Sequence, residues 1–282
     1  MKKQLSLVVG AGVSCLLFQS AHATLLFSDG FNYTAGDALG NASTTPPWST
    51  GDNANMVVGS ANLTYPGLQD LGGNDLVLNN GATGATSVAA SLGTSLTTGT
   101  VYYSFLIDCT AVPTTASYLT SLTPSEHPTA NGTSTDDLAV YAKYAGAGNS
   151  LWEVGLKTSG GSSYYAGASG LALNTVYSVV VEYSFTGAGT GIGTMYVDPV
   201  AGASQPAATL TEPVNGTANT DQDISDVGFK VQTANAGDFL FDNLMVGTTW
   251  ADVTPAAAPE PATLALFGLG GLGLAFARRM RH

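Results

Sequence analysis

The residues able to do chemistry are few and stand apart. Beyond the first two dozen positions the glutamates are Glu126, Glu153, Glu182, Glu212 and Glu260, and none has a second acid two or four residues away. Glycosidic hydrolysis by the usual route needs two carboxyl groups facing one another across the scissile bond. Alternate positions of one strand would aim such a pair into a cleft, and that pattern is missing. His127 is the one histidine between the terminal segments, set between Glu126 and Pro128, so neither a Ser-His-Asp set nor a zinc site assembles around it. Cys109 has no His-and-acid context and reads as a small buried hydrophobe. The run Gly187-Ala188-Gly189-Thr190-Gly191 lacks a following helix or Lys, which makes it a hairpin loop and not a phosphate cradle. The expectation is a chain that is not an enzyme.

Binding chemistry is better provided for. The formal net charge is −12, and five of the eight cations (Lys2, Lys3, Arg278, Arg279, Arg281) lie in the terminal segments. Between Thr24 and Ala258 stand 19 acids and three lysines, or −16. Such a surface repels phosphate backbones, which excludes nucleic acid as a partner, and attracts cations, Ca²⁺ among them. The oxygen-rich run Asp221-Gln222-Asp223-Ile224-Ser225-Asp226 lacks the glycine and closing glutamate of an EF-hand loop and reads as a solvated turn. Sugar binding calls for exposed aromatics beside a few polar groups. Trp48, in Pro46-Pro47-Trp48, and the pair Tyr164-Tyr165 are the loop candidates, whereas Trp152 and Trp250 fall in or just after strands and read as core.

The elements that must carry these residues are strands. Thirty-five glycines, 10% charged residues and 44% hydrophobic residues describe short strands joined by many turns. Within Thr175 to Phe185, Tyr177, Val179, Val181, Tyr183 and Phe185 face one way, and Ser178, Glu182 and Ser184 the other: a half-buried strand. Similar alternation marks Val101 to Asp108, Leu138 to Tyr144, Trp152 to Lys157, Thr194 to Val197 and Phe239 to Val246, and more weakly Leu25 to Phe31, Met56 to Leu63 and Ser87 to Leu92. Nine to twelve strands without helices predict an all-β, two-sheet sandwich.

The two ends read as targeting segments, giving three divisions: 1–23, 24–253 and 254–282. Lys2 and Lys3, an apolar stretch from Leu5 to Phe18 and then Ala21-His22-Ala23 form a secretory signal with a small-x-small cleavage site at Ala21 and Ala23. A lipoprotein signal using Cys15 is the alternative, but Gly12-Val13-Ser14 precedes that cysteine poorly. Thr254 to Pro261 reads as a Pro/Ala linker holding the domain off a membrane. Ala262 to Ala277 is apolar and, as a helix, about 24 Å long. The arginines after it favour a cytoplasmic end.

Pro259-Glu260-Pro261, the glycine- and leucine-rich stretch behind it and the basic tail with Arg278 and Arg279 resemble the PEP-CTERM sorting signal. The resemblance implies recognition by an exosortase-type enzyme, a C-terminal transmembrane helix before processing, and export into an envelope that also makes exopolysaccharide. Three further segments resemble the concanavalin A-like, laminin-G-like jelly rolls: Phe27-Ser28-Asp29-Gly30-Phe31-Asn32-Tyr33 with Gly36-Asp37, Tyr196-Val197-Asp198-Pro199, and Phe241-Asp242-Asn243-Leu244-Met245-Val246-Gly247. That resemblance implies first and last strands lying side by side and a calcium ion bridging them, with Asp29 and Asp242 at the matching positions; the bland reading is that both only cap or bond local backbone. Together these features point to an exported cell-surface or matrix protein whose jelly roll binds glycans or surface polymer. A polysaccharide-active hydrolase and a purely structural matrix protein are the alternatives.

Overall fold

A computed structural model describes residues 24–41, 48–49, 55–79, 86–113, 116–124, 138–145, 150–158, 165–187, 190–215, 223–231 and 237–258. The segments expected to form a signal helix and a transmembrane helix lie outside them. Among the described residues no helix is long and apolar enough to cross a membrane.

Fourteen strands are described: β1 (Leu25–Asp29), β2 (Met56–Val58), β3 (Leu76–Asn79), β4 (Thr86–Leu96), β5 (Thr100–Ala111), β6 (Ser117–Thr123), β7 (Leu138–Tyr144), β8 (Leu151–Thr158), β9 (Tyr165–Ala172), β10 (Tyr177–Gly187), β11 (Thr190–Val197), β12 (Leu210–Asn215), β13 (Ile224–Val231) and β14 (Asp238–Gly247). A single helical turn, α1 (Trp250–Val253), follows. They build two antiparallel sheets, one of eight strands in the order β12-β11-β10-β5-β14-β3-β2 with β1 also on β14, and one of six in the order β4-β13-β6-β7-β8-β9. The expected all-β sandwich is what forms, with first and last strands paired as the jelly-roll resemblance implies.

The pattern of side chains explains the layering. In β10 the inward set Val179, Val181 and Tyr183 is buried against Trp152, Phe229, Phe239 and Phe241 in one continuous core, with Tyr177 and Phe185 packed against it. Each such side chain removed from water contributes roughly 1.5–3 kcal/mol. The long central strand β14 has β5 along one edge, and β3 and β1 share the other, β3 beside its first half and β1 beside its second. Its register on β5 shifts between Asp242 and Met245, where Asn243 sits at φ 56°. Asparagine tolerates that left-handed conformation, and its amide holds the kink: Oδ1 accepts the Leu71 N–H at 2.8 Å and Nδ2 donates to the Gln69 carbonyl at 2.8 Å.

Gly30 and Gly73 lie back to back. A Cβ on Gly30 would overlap the Gly72 carbonyl oxygen, and one on Gly73 (φ 115°) would overlap that of Gly30. Only glycine allows this approach, which ties the end of β1 to the segment before β3. The expected linker from Thr254 begins later than the sequence indicates. The Gly202 N–H donates to the Thr254 carbonyl, Gln69 N–H to Pro255 and Ala257 N–H to Gly67, all at 2.8–2.9 Å. Backbone pairing with the turns at 67–69 and 202 keeps residues 254–257 on the sandwich.

Candidate functional site

Asp29 closes β1 with its carboxylate between the sheets. Oδ1 accepts the Phe31 N–H at 2.7 Å, and Oδ2 accepts the Tyr33 hydroxyl at 2.6 Å and the Trp48 indole N–H at 2.8 Å. Burial raises the carboxyl above its ordinary range despite these three bonds. Trp48, expected as an exposed stacking platform, is 5% exposed. Its ring stacks on Phe31 at 6.3 Å and meets Phe27 edge-on at 5.8 Å. The two prolines before it read as a loop, but the indole is an apolar body with one donor, and Asp29 satisfies that donor inside the core.

Asp242 points the other way. On β14, Phe241 just before it and Leu244 just after the Asn243 kink are in the inter-sheet core. Asp242 itself faces the outer side, where Oδ2 accepts the Leu63 N–H at 2.9 Å and Oδ1 the Asn243 N–H at 2.6 Å. Burial pushes this carboxyl up to about 7, and the like charges of Asp70 and Asp75 add to the effect. Asp29 and Asp242 therefore sit on neighbouring strands but opposite faces of the eight-stranded sheet, each engaged by protein donors. Among the described residues no group of three or more His, Cys, Asp or Glu side chains is arranged to hold a metal.

The remaining candidates separate. Tyr165 opens β9 in register with Leu156, while Tyr164, the cleavage residues Ala21 and Ala23, and the sorting residues Pro259, Glu260, Pro261, Arg278 and Arg279 lie outside the described residues. Ser225 and Asp226, read as part of a solvated turn, are buried in β13; a β-bulge between Ile224 and Asp226 lets an acid run enter a strand. Cys109 is fully buried, and burial, with the charge of Asp108 next, pushes its thiol up to about 12.

A different set of residues comes together on the outer face of the six-stranded sheet. Val88, Ala90, Leu119, Leu122, Val140, Leu156, Val227 and Phe229 point into the core, so the alternating positions point away from it. On that face Tyr118 of β6 and Tyr141 of β7 are register partners whose rings meet edge-on at 5.1 Å. Lys230 of β13, paired in register with Ser87 of β4, holds its Nζ 4.9 Å from the centre of the Tyr118 ring. Beside this row runs one of small residues, Ala89, Gly228, Ser121 and Ala139, each the register partner of the next. A third row follows with Ser91, Asp226 and Thr123.

These rows cross four strands over about 14 Å at about 4.8 Å per strand, and Ala89, Ser121, Ala139, Tyr118, Thr123, Asp226 and Lys230 are all buried. The Ser121 Oγ and Thr123 Oγ1 are buried with no hydrogen-bond partner. Beyond the tyrosine row, at the next outward position of β7, Lys143 pairs with Glu153 of β8 at 2.7 Å. Tyr118 and Lys230 are 1% and 2% exposed, a desolvated setting in which hydrogen bonds and charge interactions are strong.

Sequence reasoning missed this face. The available signal was the alternation of Tyr141 and Lys143 in Leu138 to Tyr144, a strand correctly expected, with its polar positions on the outward side.

The class is a two-sheet antiparallel sandwich of jelly-roll type. Residues 257–281 match the PEP-CTERM protein-sorting motif, so this sandwich belongs to an exported protein whose sorting signal implies handling by an exosortase-type enzyme and association with the cell envelope. No curated protein matches the chain in sequence. Among solved structures it is similar to an endo-β-1,4-glucuronan lyase from the fungus Trichoderma reesei, at 15% identity and a TM-score of 0.47, over 83% of this chain and 100% of that one. It is also similar to the catalytic domain of a glycoside hydrolase family 131 protein from Coprinopsis cinerea, at 13% identity and a TM-score of 0.46, over 82% and 98%. A third is the Emp47p carbohydrate recognition domain, at 10% identity and a TM-score of 0.41, over 76% and 94%. The expectation of a chain that is not an enzyme is corrected by these likenesses, since lyases and hydrolases stand among them. The physical reason is that a sheet face assembles side chains from several strands, so the lack of paired acids along any one strand does not rule out a catalytic set.

Proposed function

We propose that this protein is an exported surface or matrix component whose jelly roll binds glycans or surface polymer. One observation carries the reading: residues 257–281 match the PEP-CTERM protein-sorting motif, which sets a jelly-roll sandwich on an export route. Export places the sandwich where polysaccharide is found. Ala262 to Ala277 would hold the chain in the membrane until an exosortase-type enzyme acts near Pro259-Glu260-Pro261.

The test is a glycan-array screen of the purified full-length chain, with calcium and again with chelator, followed by incubation with any bound polymer and an assay for new chain ends. Polysaccharide binding supports the proposal, and its survival in chelator takes calcium out of it. New chain ends identify a surface that also cuts. Absence of binding to every glycan in both conditions overturns the proposal.

A further inference from the structure

Behind α1 the chain runs on as a strap with a firm root and an open tip. At the root Val253 and Thr254 are buried. The Ser104 hydroxyl donates to the Val253 carbonyl at 2.7 Å, and the Thr254 hydroxyl to that of Trp250 at 2.9 Å. At the tip Ala256, Ala257 and Ala258 are exposed. Two turns hold it by the backbone. The Gln69 N–H donates to the Pro255 carbonyl and the Ala257 N–H to that of Gly67, so Leu68 and Ala256 between them form an antiparallel pair of the close, non-hydrogen-bonded kind. From the second turn the Gly202 N–H donates to the Thr254 carbonyl. That turn comes so near that a Cβ on Gly202 (φ 69°) would stand 2.6 Å from the Ala256 Cβ. The first turn is fastened in its own right to β14, where Asp242 accepts the Leu63 N–H and Asn243 the Leu71 N–H.

The sorting motif follows at once: Pro259 is two residues beyond Ala257, the last residue hydrogen-bonded to the sandwich. An enzyme that cuts near Pro259-Glu260-Pro261 takes up the chain before its cut as an extended strand, and here that chain is already paired with Gly67, Gln69 and Gly202. From this overlap we infer that the strap is a latch on sorting: residues 254–257 are either docked on the sandwich or engaged by the sorting enzyme, and release of the strap sets the rate at which the motif is processed. The inference rests on the exosortase reading of that motif. Release is local, because the exposed tip is held by backbone pairing and not by buried apolar surface, so it can leave while β14 and α1 stay in place. With the strap docked, the five residues from Ala257 to Ala262 span at most about 18 Å. The folded domain therefore stands directly beside the start of the apolar run, and an enzyme in the membrane gains slack in the chain only when the strap lets go.

The experiment uses the full-length chain in detergent micelles. An elastase, whose pocket takes small side chains, cuts after Ala257 only when the strap is drawn out, and mass spectrometry separates that cut from any other. Leu68 and Ala256 are close enough in register for a disulfide, so Leu68→Cys/Ala256→Cys is compared with itself, oxidised and reduced. Oxidation should slow the cut after Ala257 about tenfold or more, since cleavage follows the open population, and reductant should restore it. Gly202→Val, which sets a side chain where Ala256 lies, should speed the cut several-fold at an unchanged urea midpoint; where the midpoint falls as well, the disulfide comparison decides. The same variants are then expressed in cells whose exosortase-type enzyme processes their own exported proteins, and Gly202→Val should be processed faster than wild type and the cysteine pair more slowly. Equal cutting of the oxidised and reduced forms, or equal processing of all variants in cells, overturns the inference and leaves the sorting reading standing. Failure of those cells to process any form, wild type included, removes both.

Discussion

Replacing Asp29 by alanine should unfold the protein far more readily than the loss of one exposed acid would. The carboxylate takes three donors in the core: Phe31 N–H, the Tyr33 hydroxyl and the Trp48 indole N–H, at 2.6–2.8 Å. A buried donor left without a partner costs about 1–3 kcal/mol. Against this stands relief from burying a charge, which the raised carboxyl signals. The balance is a loss of about 2–4 kcal/mol, or a fall in Tm of roughly 4–16 °C for a domain of this size. Urea unfolding of wild type, Asp29→Ala, Trp48→Phe and the double variant measures it, at unchanged m-value. The network predicts a coupling between the two sites of about 1 kcal/mol or more. Single and double losses that add within about 0.5 kcal/mol, or a loss for Asp29→Ala below about 1 kcal/mol, would refute the staple. So would a stability that chelator lowers in wild type and not in Asp29→Ala, because then an ion and not the donors would be what Asp29 holds.

Two further outcomes follow from buried groups. Asp242 has its carboxyl pushed up to about 7 by burial, against an unfolded value near 3.9, so between those values the native state binds a proton that the unfolded state has lost. Stability from this group is therefore fully present below about pH 4 and is lost as the pH rises toward 7, by up to about 1.4 kcal/mol per unit. Urea unfolding at pH 5 and pH 8 should show the protein weaker at pH 8, with the difference smaller in Asp242→Asn; a stability that rises over this range contradicts the assignment. Cys109, its thiol pushed up to about 12 inside the core, should resist a thiol reagent at pH 8 for hours and react at once in denaturant. Labelling of the native protein within minutes would show that β5 opens.

How much of this was legible depended on whether a strand is buried on one face or two. β10 shows itself in the sequence because Val179, Val181 and Tyr183 alternate with Ser178, Glu182 and Ser184, and the structure buries the first set in the core as expected. β6, Ser-Tyr-Leu-Thr-Ser-Leu-Thr, is buried along its whole length and carries a bulge between Tyr118 and Thr120, which erases period-two alternation. β13 hides for the same reason, with Gly228 and a buried Lys230 at positions where an exposed polar residue would have shown the pattern. The resemblance to jelly rolls correctly paired the first and last strands, yet it placed Asp29 and Asp242 by position alone. Which face each occupies is set by alternation through Phe27 and Phe241, and that puts the two carboxylates on opposite sides.

Lys143 and Lys230 were visible as residues long before they were visible on one face. Folding does not require their convergence, since a core needs apolar residues at inward positions and leaves every outward position open to any polar side chain. Solubility does not require it either, because the outer face of the eight-stranded sheet is just as able to carry a lysine, and the strands of that sheet hold six acids and no cation. Burying Lys230 at 2% exposure works against stability unless its ammonium is well compensated. Part of that compensation is visible in the Tyr118 ring, over which the Lys230 Nζ lies 4.9 Å from the centre, a cation–π contact worth the more for being desolvated.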